Sequence, residues 1–237
     1  MLVSAAVCPC PPLLVPAVAA GAAHELDATR AACTDALGVL AASRPDALVV
    51  VGPAEGAGTR AYPEGTPGSF RGFGVGVDVR LGRPDAGEAA GPLPPSLAVA
   101  AWLLGRTGWA DAPVEGLAVG EELDAEACAR VGRDAAARAG RVAMLVMGDG
   151  SACRTVKAPG YLDARAEPFD AGVARALGTA DVAALKALDA GLARQLKAAG
   201  RAPWQVLAGA AEGAGLSGAL LSEEAPYGVG YLVAAWS

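Results

Sequence analysis

Five cysteines and a few turn carboxylates carry most of the chemistry this chain could perform. The thiols are Cys8, Cys10, Cys33, Cys128 and Cys153; the carboxylates are Glu55, Asp149, Glu223 and Glu224. Thiolates suit zinc, and a catalytic zinc takes three protein ligands and a water. Cys8, Cys10 and Cys153, with Glu55 or Glu224, would supply that set. The plainer reading is that Cys8 faces the core and Cys10 fills a pocket. The carboxylates could form a cluster for acid/base work or for a hard cation. As turn caps they need no function, and that is the favoured reading.

Other motifs are weaker. Gly148-Asp149-Gly150-Ser151 could cradle an anion with its amides, but it is no Walker sequence. Gly74-x-Gly76 lacks the rest of a dinucleotide fingerprint, and Gly150-Ser151-Ala152 is not a nucleophile elbow. The single histidine, His24, reads as a helix-surface residue. Arg154, Lys157 and Arg165, with Tyr161 and Tyr227, could bind an anionic or aromatic molecule; solvated loop charges are the default.

The elements that must position these residues follow from hydrophobic periodicity. Residues 2–7, 47–51 and 142–147 are continuous apolar runs and predict buried strands. Residues 22–42, 96–104, 124–139, 168–177 and 181–199 predict helices, with Ser96 as an N-cap and Gly140 and Gly200 as stops. Pro203 opens another short helix. Residues 56–72 read as a long loop. Alternation over 73–81 predicts a strand with one solvated face. A further loop runs to Pro95. Residues 117–119, 216–221 and 228–236 complete the strands. Strand, helix and strand in that order predict a parallel βαβ unit. Ligands of such sheets bind beyond the carboxyl ends of the strands. Three ends are readable: Cys8 to Pro11, Gly52 to Glu55, and Gly148 to Cys153. A fourth polar cluster, Ser222-Glu223-Glu224, precedes the last strand.

The chain has 237 residues, which suits one domain over 1–237. Net charge is −6 and no basic stripe is visible, which argues against nucleic acid. No apolar run approaches the ~20 residues of a membrane span. Positive charge is absent before Arg30 and prolines interrupt the first apolar stretch, so no signal peptide is read and the expected location is cytoplasmic. An odd number of cysteines argues against a disulfide framework.

A resemblance enters at the proline turn Pro9-Cys10-Pro11-Pro12, the Gly148-Asp149-Gly150-Ser151 turn, and the carboxyl-terminal third. The last contributes Phe169-Asp170, Asp181 to Leu185, Trp204 to Gly209 and Pro226-Tyr227-Gly228-Val229-Gly230. Together these are similar to the B subunits of class III extradiol ring-cleavage dioxygenases and to the related Memo-type proteins, over nearly the whole chain. The resemblance implies an α/β fold, a three-layer α/β/α sandwich with a mostly parallel or mixed central sheet. In the enzymes it implies a non-haem iron that binds a catechol and dioxygen. It also implies a ligand histidine where this chain has Cys10, a second at Ala54-Glu55, and an acid/base histidine at Ala152. A further ligand would come from Ser222, Glu223 or Glu224.

One histidine cannot supply the two imidazoles of the iron(II) facial site, nor the acid/base imidazole. The expectation is therefore a dioxygenase-like protein without iron-dependent ring cleavage, which keeps a small-molecule or regulatory pocket. Cys10, Glu55, Asp149, Ser151 and Tyr227 are its candidate binding residues, and no cofactor is expected. One alternative is an active metal-dependent oxidoreductase or hydrolase, with Fe(II) or Zn on Cys8, Cys10, Glu55, Cys153 and Glu224. Another is a non-catalytic subunit that pairs with a small partner or with its own copies.

Overall fold

The computed structural model describes residues 1–83 and 91–237. In chain order its elements are β1 (Leu2–Cys8), α1 (Pro16–Ala19), α2 (Asp27–Ala42), β2 (Ala47–Ala54), β3 (Thr59–Tyr62), β4 (Pro67–Ser69) and β5 (Asp78–Arg80). Then follow α3 (Pro95–Thr107), β6 (Val114–Gly120), α4 (Ala125–Ala136), β7 (Val142–Met147), α5 (Ala166–Gly178), α6 (Val182–Lys186), α7 (Ala190–Gln195), α8 (Arg201–Ala210), β8 (Gly218–Glu224) and β9 (Tyr231–Trp236). Seven strands form one sheet in the order β3-β6-β2-β7-β1-β9-β8. The central β6, β2, β7 and β1 are parallel, and β3, β9 and β8 pair antiparallel at the flanks. β4 and β5 make a separate two-stranded ribbon.

The buried strands are apolar throughout because both faces are covered. β2 sends Leu48 and Val50 into one core and Val49 and Val51 into the other, and β7 divides Leu145 and Met147 from Met144 and Val146 in the same way. α2 and α3 cover the first face; α4, α5 and α8 cover the second. The result is a three-layer α/β/α arrangement. Many of the residues between layers are alanine or glycine, which lets backbones approach closely. At Gly132 of α4 an added Cβ would meet the Val206 carbonyl of α8 at 2.0 Å, so these two helices cross in direct contact. Among the described residues, no helix is long and apolar enough to cross a membrane.

Several sequence expectations change: α2 begins only at Asp27, after a 3-10 turn, and α8 opens on Arg201 rather than Pro203. The loop over 56–72 contains β3 and β4, because Thr59–Tyr62 finds the open edge of β6. The strand over 73–81 shrinks to β5: Arg71–Phe73 is a 3-10 turn closed by Gly74 at φ +83°, although burial still alternates beyond it. Ser96 is not a cap, since α3 starts one residue earlier on Pro95; its hydroxyl donates instead to the Pro53 carbonyl at 2.8 Å. The helix over 181–199 is broken into α6 and α7. Asp189 caps the second piece, and the Gln205 amide of α8 donates to the freed carbonyls of Lys186 and Leu188 at 3.1 and 3.0 Å. The loop expected up to Pro95 lies partly outside the described residues.

Candidate functional site

After β1 and β2 the chain leaves toward the face covered by α2 and α3; after β7 it leaves toward α5 and α8 on the other face. Neighbouring strands whose exits part in this way open a crevice at their carboxyl ends. That crevice lies over the end of β7, flanked by the ends of β1 and β2.

Hydrogen bonds fix its floor. Gly148 N–H donates to the Cys8 carbonyl at 3.0 Å, and Cys10 N–H donates to Asp149 Oδ1 at 2.8 Å. Protein packs around the Asp149 carboxyl and pushes its pKa up to about 7, against the bond from Cys10, while part of the residue stays open to solvent. Burial disfavours the charged carboxylate there. The Cys10 thiol is raised well above its usual value by burial and then by Asp149. The Cys8 thiol is raised by its contact with Cys33 and by burial. Such thiols are protonated at neutral pH and poor nucleophiles. Tyr231, behind them, is raised by burial and then by Asp149.

A second set of contacts holds the loop after β7. Asp170 of α5 is fully buried and takes the Ser151 amide on Oδ1 and the Ser151 hydroxyl on Oδ2, both at 2.7 Å. Arg154 pairs with it at 3.2 Å. Gly150 N–H donates to the Gly230 carbonyl, and Gly230 N–H donates to Ser151. A Cβ on Gly230 would meet Asp170 Oδ2 at 2.6 Å, so the turn before β9 needs glycine there.

Beside Cys10, at the ends of β2 and β6, lies a cleft of about 470 Å³. It is lined by Cys10, Pro53, Ala54, Glu55, Pro94, Pro95, Ser96 and Glu121, with Glu121 beside Ala54. The bond from Ser96 to Pro53 ties α3 to β2 and so sets the width. The walls are mainly apolar, and both charged groups on them are carboxylates.

The candidate residues separate into groups. Cys10 and Glu55 meet in the cleft, and Asp149 accepts from Cys10 N–H. Tyr227 lies in the turn before β9; its hydroxyl is buried, and burial and then Glu25 raise its pKa. Ser151 is buried, and both its donors are taken by Asp170.

The five-residue metal set is not assembled. Cys153 packs with Ala166 and Leu196 and contacts the Leu196 carbonyl at 3.5 Å. Glu224 ends β8 and accepts from the Thr29 hydroxyl at 2.7 Å. β8 is two strand spacings from β1, about 10 Å, which is too far for a shared ion. Ser222-Glu223-Glu224 therefore belongs to the edge strand, not to the crevice. Among the described residues no three His, Cys, Asp or Glu side chains converge as a metal site. His24 sits exposed on the 3-10 turn before α2. These residues do not fit a site of two histidines and a carboxylate, so no step through iron is derived.

Ser96, Glu121, Asp170 and Tyr231 were missed as site residues. Asp170 carried a signal: a carboxylate on the apolar side of α5, beside Phe169. Ser96 and Glu121 carried none, because only packing brings α3 and the turn after β6 to the end of β2.

No family model matches the chain, and no curated protein matches it. Among solved structures, the chain is similar to the crystal structure of an uncharacterized protein, JW3007, from Escherichia coli K12. The identity is 16%, the match covers 99% of both chains, and the TM-score is 0.56. This likeness bears on the fold alone.

Proposed function

We propose that the protein binds a small organic molecule in the cleft beside Cys10 at the ends of β2 and β6, on a scaffold of the class III extradiol dioxygenase type from which the iron chemistry is missing. The observation that carries the reading is the cleft itself, lined by Cys10, Glu55 and Glu121, with Asp149, which accepts from Cys10 N–H, able to hold or release a proton beside it. An apolar cleft with a few convergent polar groups at a sheet's switch point is the usual form of a ligand site. The motifs around Pro9, Gly148 and Pro226 support the scaffold. The lack of imidazoles at Cys10, Ala54-Glu55 and Ala152 supports the loss of ring cleavage, since neither a facial iron site nor its acid/base partner can be built from thiol, methyl and carboxylate at these positions.

The test has two arms. Thermal stabilisation by a panel of small phenols, arylamines and aryl acids is expected for at least one compound and is expected to vanish in Ala54→Trp, whose indole fills the cleft. Stabilisation that survives this substitution, or none at all, would sink the binding reading. Oxygen uptake with catechol and added iron(II) is expected to stay at background. Turnover there would restore the dioxygenase.

A further inference from the structure

Glu121 borders two clefts. One is the cleft described above. The other, of about 350 Å³, is lined by Glu121, Arg194, Lys197 and Arg201 with small alanines between them. Arg201 is already committed: its guanidinium donates to the carbonyls of Leu123 and Glu121 and, at 3.0 Å, to Gln205 Oε1. Arg194 and Lys197 remain as the cations of this cleft. Among the described residues neither forms an ion pair, and neither do Glu55 and Glu121, whereas other surface charges, such as Arg133, Arg138 and Arg165, are paired. Lys197 makes one long contact, 3.4 Å, to the Pro159 carbonyl.

The backbone of Glu121 is pinned. Its N–H donates to the Ala54 carbonyl at 3.0 Å, and its own carbonyl is held by Arg201. Gly120 lies so close to the Gly56 carbonyl that a Cβ would stand 2.2 Å from it. Glu55 and Glu121 thus border one cleft, and Arg194 and Lys197 border the other beside Glu121, in a chain whose net charge is −6.

We propose that the two clefts form one elongated site for a zwitterion with an apolar body. The cationic group meets Glu55 and Glu121, the body lies over Pro53, Pro94 and Pro95, and a carboxylate or similar anion reaches Arg194 and Lys197. A ligand with only the anion is repelled by Glu121; one with only the cation fills half the site. The proposal rests on the small-molecule reading of the first cleft and adds the charge pattern of the ligand.

Calorimetric titration at low salt separates the two. The probes are 4-(aminomethyl)phenylacetate, which carries both charges, benzylamine and phenylacetate. The zwitterion is expected to bind roughly tenfold or more tighter than benzylamine, with phenylacetate silent. An Arg194→Gln/Lys197→Gln variant, altered only at exposed positions, is expected to bind the zwitterion no better than benzylamine and to leave benzylamine unchanged. If the zwitterion and benzylamine bind alike before and after the substitutions, and Ala54→Trp abolishes both, the charge pattern falls and the cleft reading stands. If none of the three binds while a compound of the panel above stabilises the protein and loses its effect in Ala54→Trp, the charge pattern falls and the cleft reading stands; if the panel fails too, both fall.

Discussion

Asp149 changes charge where most side chains do not. Its carboxyl is raised to about 7 by burial, so around neutrality it is partly protonated, and the bond from Cys10 N–H is the contact that favours the charged form. The sign of its effect on stability follows from linkage. The folded state holds the proton more tightly than the unfolded chain, whose carboxyl titrates near 3.8. The stability it confers is therefore complete below about 3.8 and is lost as pH rises to about 7. Asp149→Asn keeps an oxygen for Cys10 and removes the titration. We expect the variant to gain roughly 1–2 kcal/mol on the native protein between pH 5 and pH 8, a range that allows for the partial opening to solvent. Urea midpoints at the two pH values measure it; a constant difference would mean that Asp149 is ionised throughout. The thiols beside it were legible as candidates in the sequence. Their inertness was not, because it comes from burial by residues distant in the chain.

The elements around the site are tied by single residues. Asp170 joins α5 to the loop after β7 and, through Gly230, to the turn before β9. Asp170→Ala leaves the Ser151 amide and hydroxyl without their acceptor and Arg154 without its buried partner. Such losses cost about 3–5 kcal/mol. A denaturant midpoint lowered to match, with an unchanged slope, is the expected outcome; a shift under about 1 kcal/mol would show that water replaces the carboxylate. The limits of sequence reading appear at the same scale. The strand over 142–147 was readable to the residue, since a fully buried strand shows as an apolar run bounded by polar turns. The helix over 181–199 was not, since its apolar spacing continues across a break that Asp189 and Gln205 create.

At the scale of the molecule, one sheet serves two cores. Trp204 and Trp236 lie in the core on one face, and Trp102 and Trp109 pack against the other. β1 lies between β7 and β9, so strands from the two ends of the chain share ladders. Unfolding either layer would expose a sheet face that the other cannot cover, which favours a single transition. In a Trp102→Phe/Trp109→Phe variant, tryptophan emission reports only the α8 face. Its urea transition should coincide with the far-ultraviolet one; separate midpoints would mean that the layers melt independently.

The sequence by itself determined the buried strands, most of the main helices and a parallel βαβ unit, because periodicity and turn chemistry are local and act before any tertiary contact forms. It also determined that two imidazoles are unavailable, since that is a matter of composition. Only the tertiary structure decided which candidates meet. Cys10 meets Asp149 through a hydrogen bond and shares a cleft with Glu55, because the ends of β1, β2 and β7 adjoin in the sheet, while Cys153 and Glu224 are held apart by the sheet and its spacing. The two clefts that Glu121 borders exist only because distant turns are pinned together through backbone hydrogen bonds, whose partners no side-chain pattern records.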